Sequence, residues 1–157
     1  MKQNSQGMSV SANTIRRLTL TEAHHKENDG VQLSSIESII AIVATRSMVH
    51  TALVTADLLS DHGINAAVID MHTIKPLDEA TLGQHLDKKL LVTLEEHSVI
   101  GGLGSAIAEY LAGTENSPRQ LRLGIPQGYP HSGDYAWMLE QSGLTAKQVT
   151  ARIMSTL

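Results

Sequence analysis

Cysteine is absent from the 157 residues, which excludes a disulfide framework and every thiolate-ligated zinc, iron–sulfur or redox centre. Phenylalanine is absent as well, and the large rings are Trp137, Tyr110, Tyr129 and Tyr135. Three of those four fall between positions 129 and 137, so the interior has to be built from Ile, Leu, Val and Ala. Clustered basic residues are missing too. With 12 Lys+Arg against 16 Asp+Glu the formal charge is −4, which argues against the phosphate-neutralising surface of a nucleic-acid or anionic-membrane binder. The longest uninterrupted apolar run, Ile39 to Ala44, is far short of the roughly 20 residues that span a bilayer. The start, Met1 to Met8, has no apolar signal-peptide core, and the protein reads as cytoplasmic. Catalytic and metal motifs are equally scarce. There is no Gly-x-Ser-x-Gly elbow, no Walker loop, and no pair of the eight histidines at the i, i+4 spacing of a helix metal site.

What is present is one domain's worth of patterned chain, long enough to bury roughly two-thirds of the surface its unfolded form exposes. Residues 1–37 are rich in Ser, Asn, Gln, Glu and His without a clear period, and read as a leader or poorly ordered tail. A strand or helix over Thr14 to Ala23 that needs a partner is the alternative. The domain proper is expected over 38–157. Ile39 to Ala44 is a β-branched apolar run, as in a strand buried on both faces. The turn Thr45-Arg46-Ser47 leads to a helix over Met48 to Asp61, ended by Gly63. Ala66 to Asp70 is a second strand and Asp78 to Leu86 a short helix. Leu90 to Leu94 is a third strand, and Gly102 to Leu111 a third helix. Leu121 to Leu123 is a fourth strand, Asp134 to Gln141 another helix, and Thr145 with Gln148 forms a capping box opening the last helix, Ala146 to Leu157. Strands alternating with helices imply an α/β fold of three layers, a mostly parallel sheet covered on both faces.

Ligands and partners of such sheets meet the carboxyl ends of the strands. Glu95-Glu96-His97 followed by Gly101-Gly102-Leu103-Gly104 puts two carboxylates and an imidazole before a glycine-rich helix start. The glycine amides could bind an anion. Alternatively, the glycines allow close packing and the carboxylates meet the positive end of the helix. Ile107 stands where a dinucleotide fingerprint needs its third glycine or alanine, which favours the packing reading. Arg46, His72 and Lys75 add cationic groups to the same edge. The aromatic segment carrying Tyr129 and Trp137, stiffened by Pro and Gly, is either a contact surface or the means by which a short helix docks on the sheet.

Taken in order, Ala44-Thr45-x-Ser47-Met48-Val49, Ile69-Asp70-Met71-His72-Thr73-Ile74-Lys75-Pro76-Leu77-Asp78, Glu95 to Ala106, Gly124-Ile125-Pro126 and Gly143-Leu144-Thr145-Ala146 resemble the C-terminal domain of transketolase-type thiamine-diphosphate enzymes, especially the C-terminal part of split transketolases. The resemblance implies a five-stranded sheet, mostly parallel with one antiparallel edge strand. It also implies a two-carbon ketol transferase acting on sugar phosphates, in which this domain contributes mainly to assembly and the partners are diphosphate- and pyrimidine-binding domains, together with a second copy in a homodimer. Thiamine diphosphate and Mg²⁺ are implied for the full assembly and not for this chain alone. The family's Gly-Asp-Gly motif with its downstream Asn is absent, the nearest strings being Asn28-Asp29-Gly30 and Ser132-Gly133-Asp134. The glutamate that activates the cofactor ring belongs to the pyrimidine domain, so neither Glu95 nor Glu96 inherits it, and no catalytic residue is carried over. Arg46 stands where the family usually has glycine, and residues 1–37 do not resemble the end of a pyrimidine domain. Two other readings compete with the assembly module. One is a stand-alone small-anion or nucleotide-binding module using the helix start, and the other is an independent enzyme using Glu95, Glu96 and His97.

Overall fold

The computed structural model describes residues 15–16, 38–128 and 132–157. The reading of 1–37 as a leader therefore lies outside the described residues apart from Ile15 and Arg16, and Tyr129 lies outside them as well. Strand β1 is the pair Ile15–Arg16, followed by β2 (Ile40–Ala44), β3 (Ala66–Asp70), β4 (Leu90–Ser98) and β5 (Arg119–Ile125). The helices are α1 (Met48–Asp61), α2 (Glu79–Gly83), α3 (Leu103–Ala112), α4 (Tyr135–Gln141) and α5 (Ala146–Met154). Strands β3, β2, β4 and β5 lie side by side in that order and run parallel. The two residues of β1 pair antiparallel with β3, Ile15 opposite Ile69 and Arg16 opposite Val68.

The apolar run of β2 is needed on both faces because successive side chains of a strand point to opposite sides. Ile40, Ile42 and Ala44 join one core with Ala52, Ala56 and Leu59 of α1 and Val149 and Ile153 of α5. Ala41 and Val43 join a second core with Leu82 of α2 and Leu103, Ile107 and Leu111 of α3. Helices thus cover both faces of the sheet, as the α/β reading expects. Among the described residues no helix is long and apolar enough to cross a membrane.

Several boundaries differ from expectation. Strand β2 starts at Ile40, and Ile39 is 41% exposed. Strand β5 reaches from Arg119 to Ile125 although only Leu123 and Gly124 within it are buried. It is an edge strand, so its polar residues can stay in water and give no apolar signal. Strand β4 continues past Leu94 to Ser98, re-pairing Ser98 with Ile125 after a register shift. Helix α2 is shorter than expected, capped by Asp78, whose carboxylate accepts from the Thr81 amide at 3.0 Å and its hydroxyl at 2.7 Å.

Leu91 is wholly buried beneath α3. Leu91→Ala is expected to lower the free energy of unfolding by about 2–5 kcal/mol in urea denaturation, whereas the same truncation at exposed Met154 should cost well under half of that.

Candidate functional site

The extension of β4 decides the site, because it turns Glu95, Glu96 and His97 from loop residues into strand residues. Leu91, Thr93 and Glu95 share the phase that faces α3, and Glu96 takes the other. The contacts follow that division. Glu95 is buried, with its Oε2 accepting from the Leu103 amide at 2.8 Å and its Oε1 from the Gly104 amide at 2.8 Å. These are two of the amide groups that a helix start leaves without an internal partner. Cap residue Gly102 has no side chain to offer, so a carboxylate from the neighbouring strand does the capping, where the helix dipole also favours negative charge. The fit is tight. A Cβ on Gly102 would overlap the Glu95 carboxylate and come within 2.9 Å of His97 Nδ1. One on Gly104 would sit 3.0 Å from Thr93 Oγ1 and 3.1 Å from Arg122 Cδ. The remaining glycine-loop amide with an assigned partner, that of Gly101, donates to Ser105 Oγ at 2.8 Å. The packing-and-charge reading of the glycines therefore describes Glu95, and an external anion would find the Leu103 and Gly104 amides already occupied.

Glu96 is exposed and serves a different pair of elements. Its Oε2 accepts from Ser47 Oγ at 2.5 Å and from the Tyr135 hydroxyl at 2.9 Å. Ser47 stands at the start of α1 and Tyr135 at the start of α4, so a single oxygen joins the β2–α1 turn, the end of β4 and α4. Desolvation pushes the Tyr135 phenol above its ordinary range; the Ser47 hydrogen bond opposes this, and the neighbouring Glu96 charge adds to it. Helix α4 has no buried residue, and the partly buried Leu139 is its contact with the core. Its start is fixed by Asp134, whose Oδ1 accepts from the Trp137 amide at 2.9 Å, and by the Trp137 ring lying over Gly133.

Between these elements lies an open pocket of about 550 Å³ at the carboxyl ends of β2, β3 and β4. The β2–α1 turn contributes Thr45, Arg46 and Ser47, the loop after β3 His72 and Ile74, and the end of β4 Glu95, Glu96 and His97, with Gly101 and Gly102 closing the side. Of the residues singled out from the sequence, Arg46, His72, Glu95, Glu96, His97, Gly101 and Gly102 come together there. Lys75, Gly104 and Trp137 do not line it. His97 Nδ1 lies 4.0 Å from Glu95 Oε2 and donates to the Ser98 carbonyl at 3.1 Å, while His72 Nδ1 is 2.7 Å from Thr73 Oγ1. The convergence of Ser47 and Tyr135 on Glu96 was not legible, since a hydroxyl 49 and one 39 positions from their common acceptor leave no local pattern.

Two consequences are measurable. Gly102→Ala displaces the Glu95 cap and Glu95→Gln turns an NH₂ toward an amide donor, so each is expected to lower stability in urea by about 1–3 kcal/mol; parental stability for both would remove the cap from its assigned role. Because the folded phenol of Tyr135 holds its proton more tightly than the unfolded one, its contribution to stability is fully present below about pH 10 and is lost as pH rises through the folded value. Ultraviolet titration, with Tyr135→Phe as the difference reference, should place its ionisation above that of an ordinary tyrosine. Glu96→Gln should move it down.

Residues 30–149 match the family described as "Transketolase, C-terminal domain". The chain is 44% identical over 112 residues to the 6-deoxy-6-sulfo-D-fructose transketolase subunit SqwH of Clostridium sp., a match covering 70% of this chain and 34% of that subunit. It is 40% identical over 119 residues to 1-deoxy-D-xylulose-5-phosphate synthase of Pseudomonas syringae, covering 75% of this chain and 18% of that enzyme. Among solved structures, one described as "Split gene transketolase, inactive beta4 tetramer" superposes with a TM-score of 0.69 at 40% identity, covering 76% of this chain and 39% of that one. The chain thus spans about a third or less of the length of the curated relatives it matches.

Proposed function

The chain belongs to the family of transketolase C-terminal domains, and on that premise we propose that it acts as the assembly module of a split transketolase-type enzyme. In this reading it joins separate diphosphate- and pyrimidine-binding domains, within a dimeric enzyme that transfers a two-carbon ketol unit between sugar phosphates. Thiamine diphosphate and Mg²⁺ are held by those partner domains. The observation that carries the reading is the use made of the strand-end carboxylates. Both oxygens of Glu95 are taken by backbone amides and Oε2 of Glu96 by two hydroxyls, so both are tied into the scaffold. The donor set does not fit the cofactor either. Among the described residues no group of three His, Asp or Glu side chains is placed to hold the metal ion that accompanies the diphosphate. The contact surface is the carboxyl edge of the sheet, where Ile74, Ile100 and Tyr135 are exposed at 38%, 55% and 55% and Trp137 follows Tyr135 on α4. Rigid rings and branched side chains of this kind bury area at low entropic cost when a partner covers them.

Calorimetry of the full chain with thiamine diphosphate and Mg²⁺ is expected to show no binding. Mixing with subunits that supply both the diphosphate-binding domain, with its Gly-Asp-Gly and downstream Asn, and the pyrimidine-binding domain is expected to restore ketol transfer, and Ile100→Asp should weaken that association by about tenfold or more in sedimentation analysis. Cofactor binding by the chain alone would overturn the assembly reading.

A further inference from the structure

Arg46 lies on the rim of the pocket with φ = +51°, a left-handed conformation that suits glycine and is disfavoured for a residue with a side chain. The turn holds it there from both sides, since the Thr45 carbonyl accepts from the Met48 amide at 3.0 Å and the Arg46 carbonyl from the Val49 amide at 3.2 Å. The Arg46 side chain is exposed, and among the described residues none bonds to it or forms an ion pair with it.

Three of the four carboxylate oxygens in the pocket are already engaged. Glu95 is matched by the start of α3, and Glu96 Oε2 takes the Ser47 and Tyr135 hydroxyls. The Arg46 fork is open, whereas His97 already uses its Nδ1–H on the Ser98 carbonyl and His72 Nδ1 is engaged with the Thr73 hydroxyl. We propose that Arg46 makes this pocket a binding site for the phosphate or carboxylate group of a small organic molecule. The planar fork suits two oxygens of one oxyanion, the imidazoles of His72 and His97 flank it, and Ile74 supplies an apolar wall for the rest of the ligand. A volume of about 550 Å³ suits a small molecule rather than a bare ion. The α3 amides take no part, so the site stands on the β2–α1 turn.

The test is titration of the full chain with inorganic phosphate and, separately, with citrate, at ionic strength held constant with chloride, followed by amide chemical shifts. Saturable shifts are expected at Thr45 to Ser47 and around His72, with one anion or both; which of the two binds more tightly assigns the ligand to the phosphate or the carboxylate class. Arg46→Gly relieves the left-handed turn, so its melting temperature should hold or rise while affinity falls by about tenfold or more. Arg46→Lys keeps the charge and should lose less. Absence of saturable shifts with both anions, or undiminished affinity in Arg46→Gly, overturns the assignment.

Discussion

The burial of the Glu95 carboxylate against the first amides of α3 is the contact on which the upper end of the molecule depends. It fixes the phase of β4, because only a strand that continues past Leu94 can present residue 95 to the helix. It fixes the height of α3 over the sheet, because Gly102 and Gly104 leave no space for a side chain between the two elements. Once Glu95 is committed to one face, Glu96 is committed to the other, and the hydroxyls of Ser47 and Tyr135 converge on it. The pocket is what remains between these two commitments.

Much of the architecture was legible in the residues. The β-branched run at 40–44 could only be a strand covered on both sides, and the glycine at 63 and the Thr145–Gln148 box marked helix ends that the structure retains. The edge strand was less legible, since Arg119, Gln120 and Arg122 need no burial and carry no pattern. The short α2 was overextended because the apolar spacing of Leu82 and Leu86 continues after the helical hydrogen bonding has stopped.

The site was legible in its members but not in its wiring. Sequence placed Glu95, Glu96 and His97 at a strand end and allowed both carboxylates to face the helix start, which is true of Glu95 alone. The difference is a matter of strand alternation across a register shift, and no residue-by-residue pattern announces a register shift. Family resemblance and bottom-up reading agreed on the α/β class. They also agreed that no nucleophile or cofactor motif marks the chain, while the residues left the glycine-rich turn open between anion binding and close packing. The geometry gives that turn an internal anion.

Helix α4 is held at one end by a shared carboxylate oxygen and along its body by Leu139 and by the Gln148 side-chain amide, which donates to the Glu140 carbonyl at 3.0 Å. In a molecule whose sheet is buried on both faces, such an element belongs to the low end of the local-stability range. Whatever covers this end of the fold meets a surface whose order is still partly unspent, and ordering it becomes part of the free energy of that encounter.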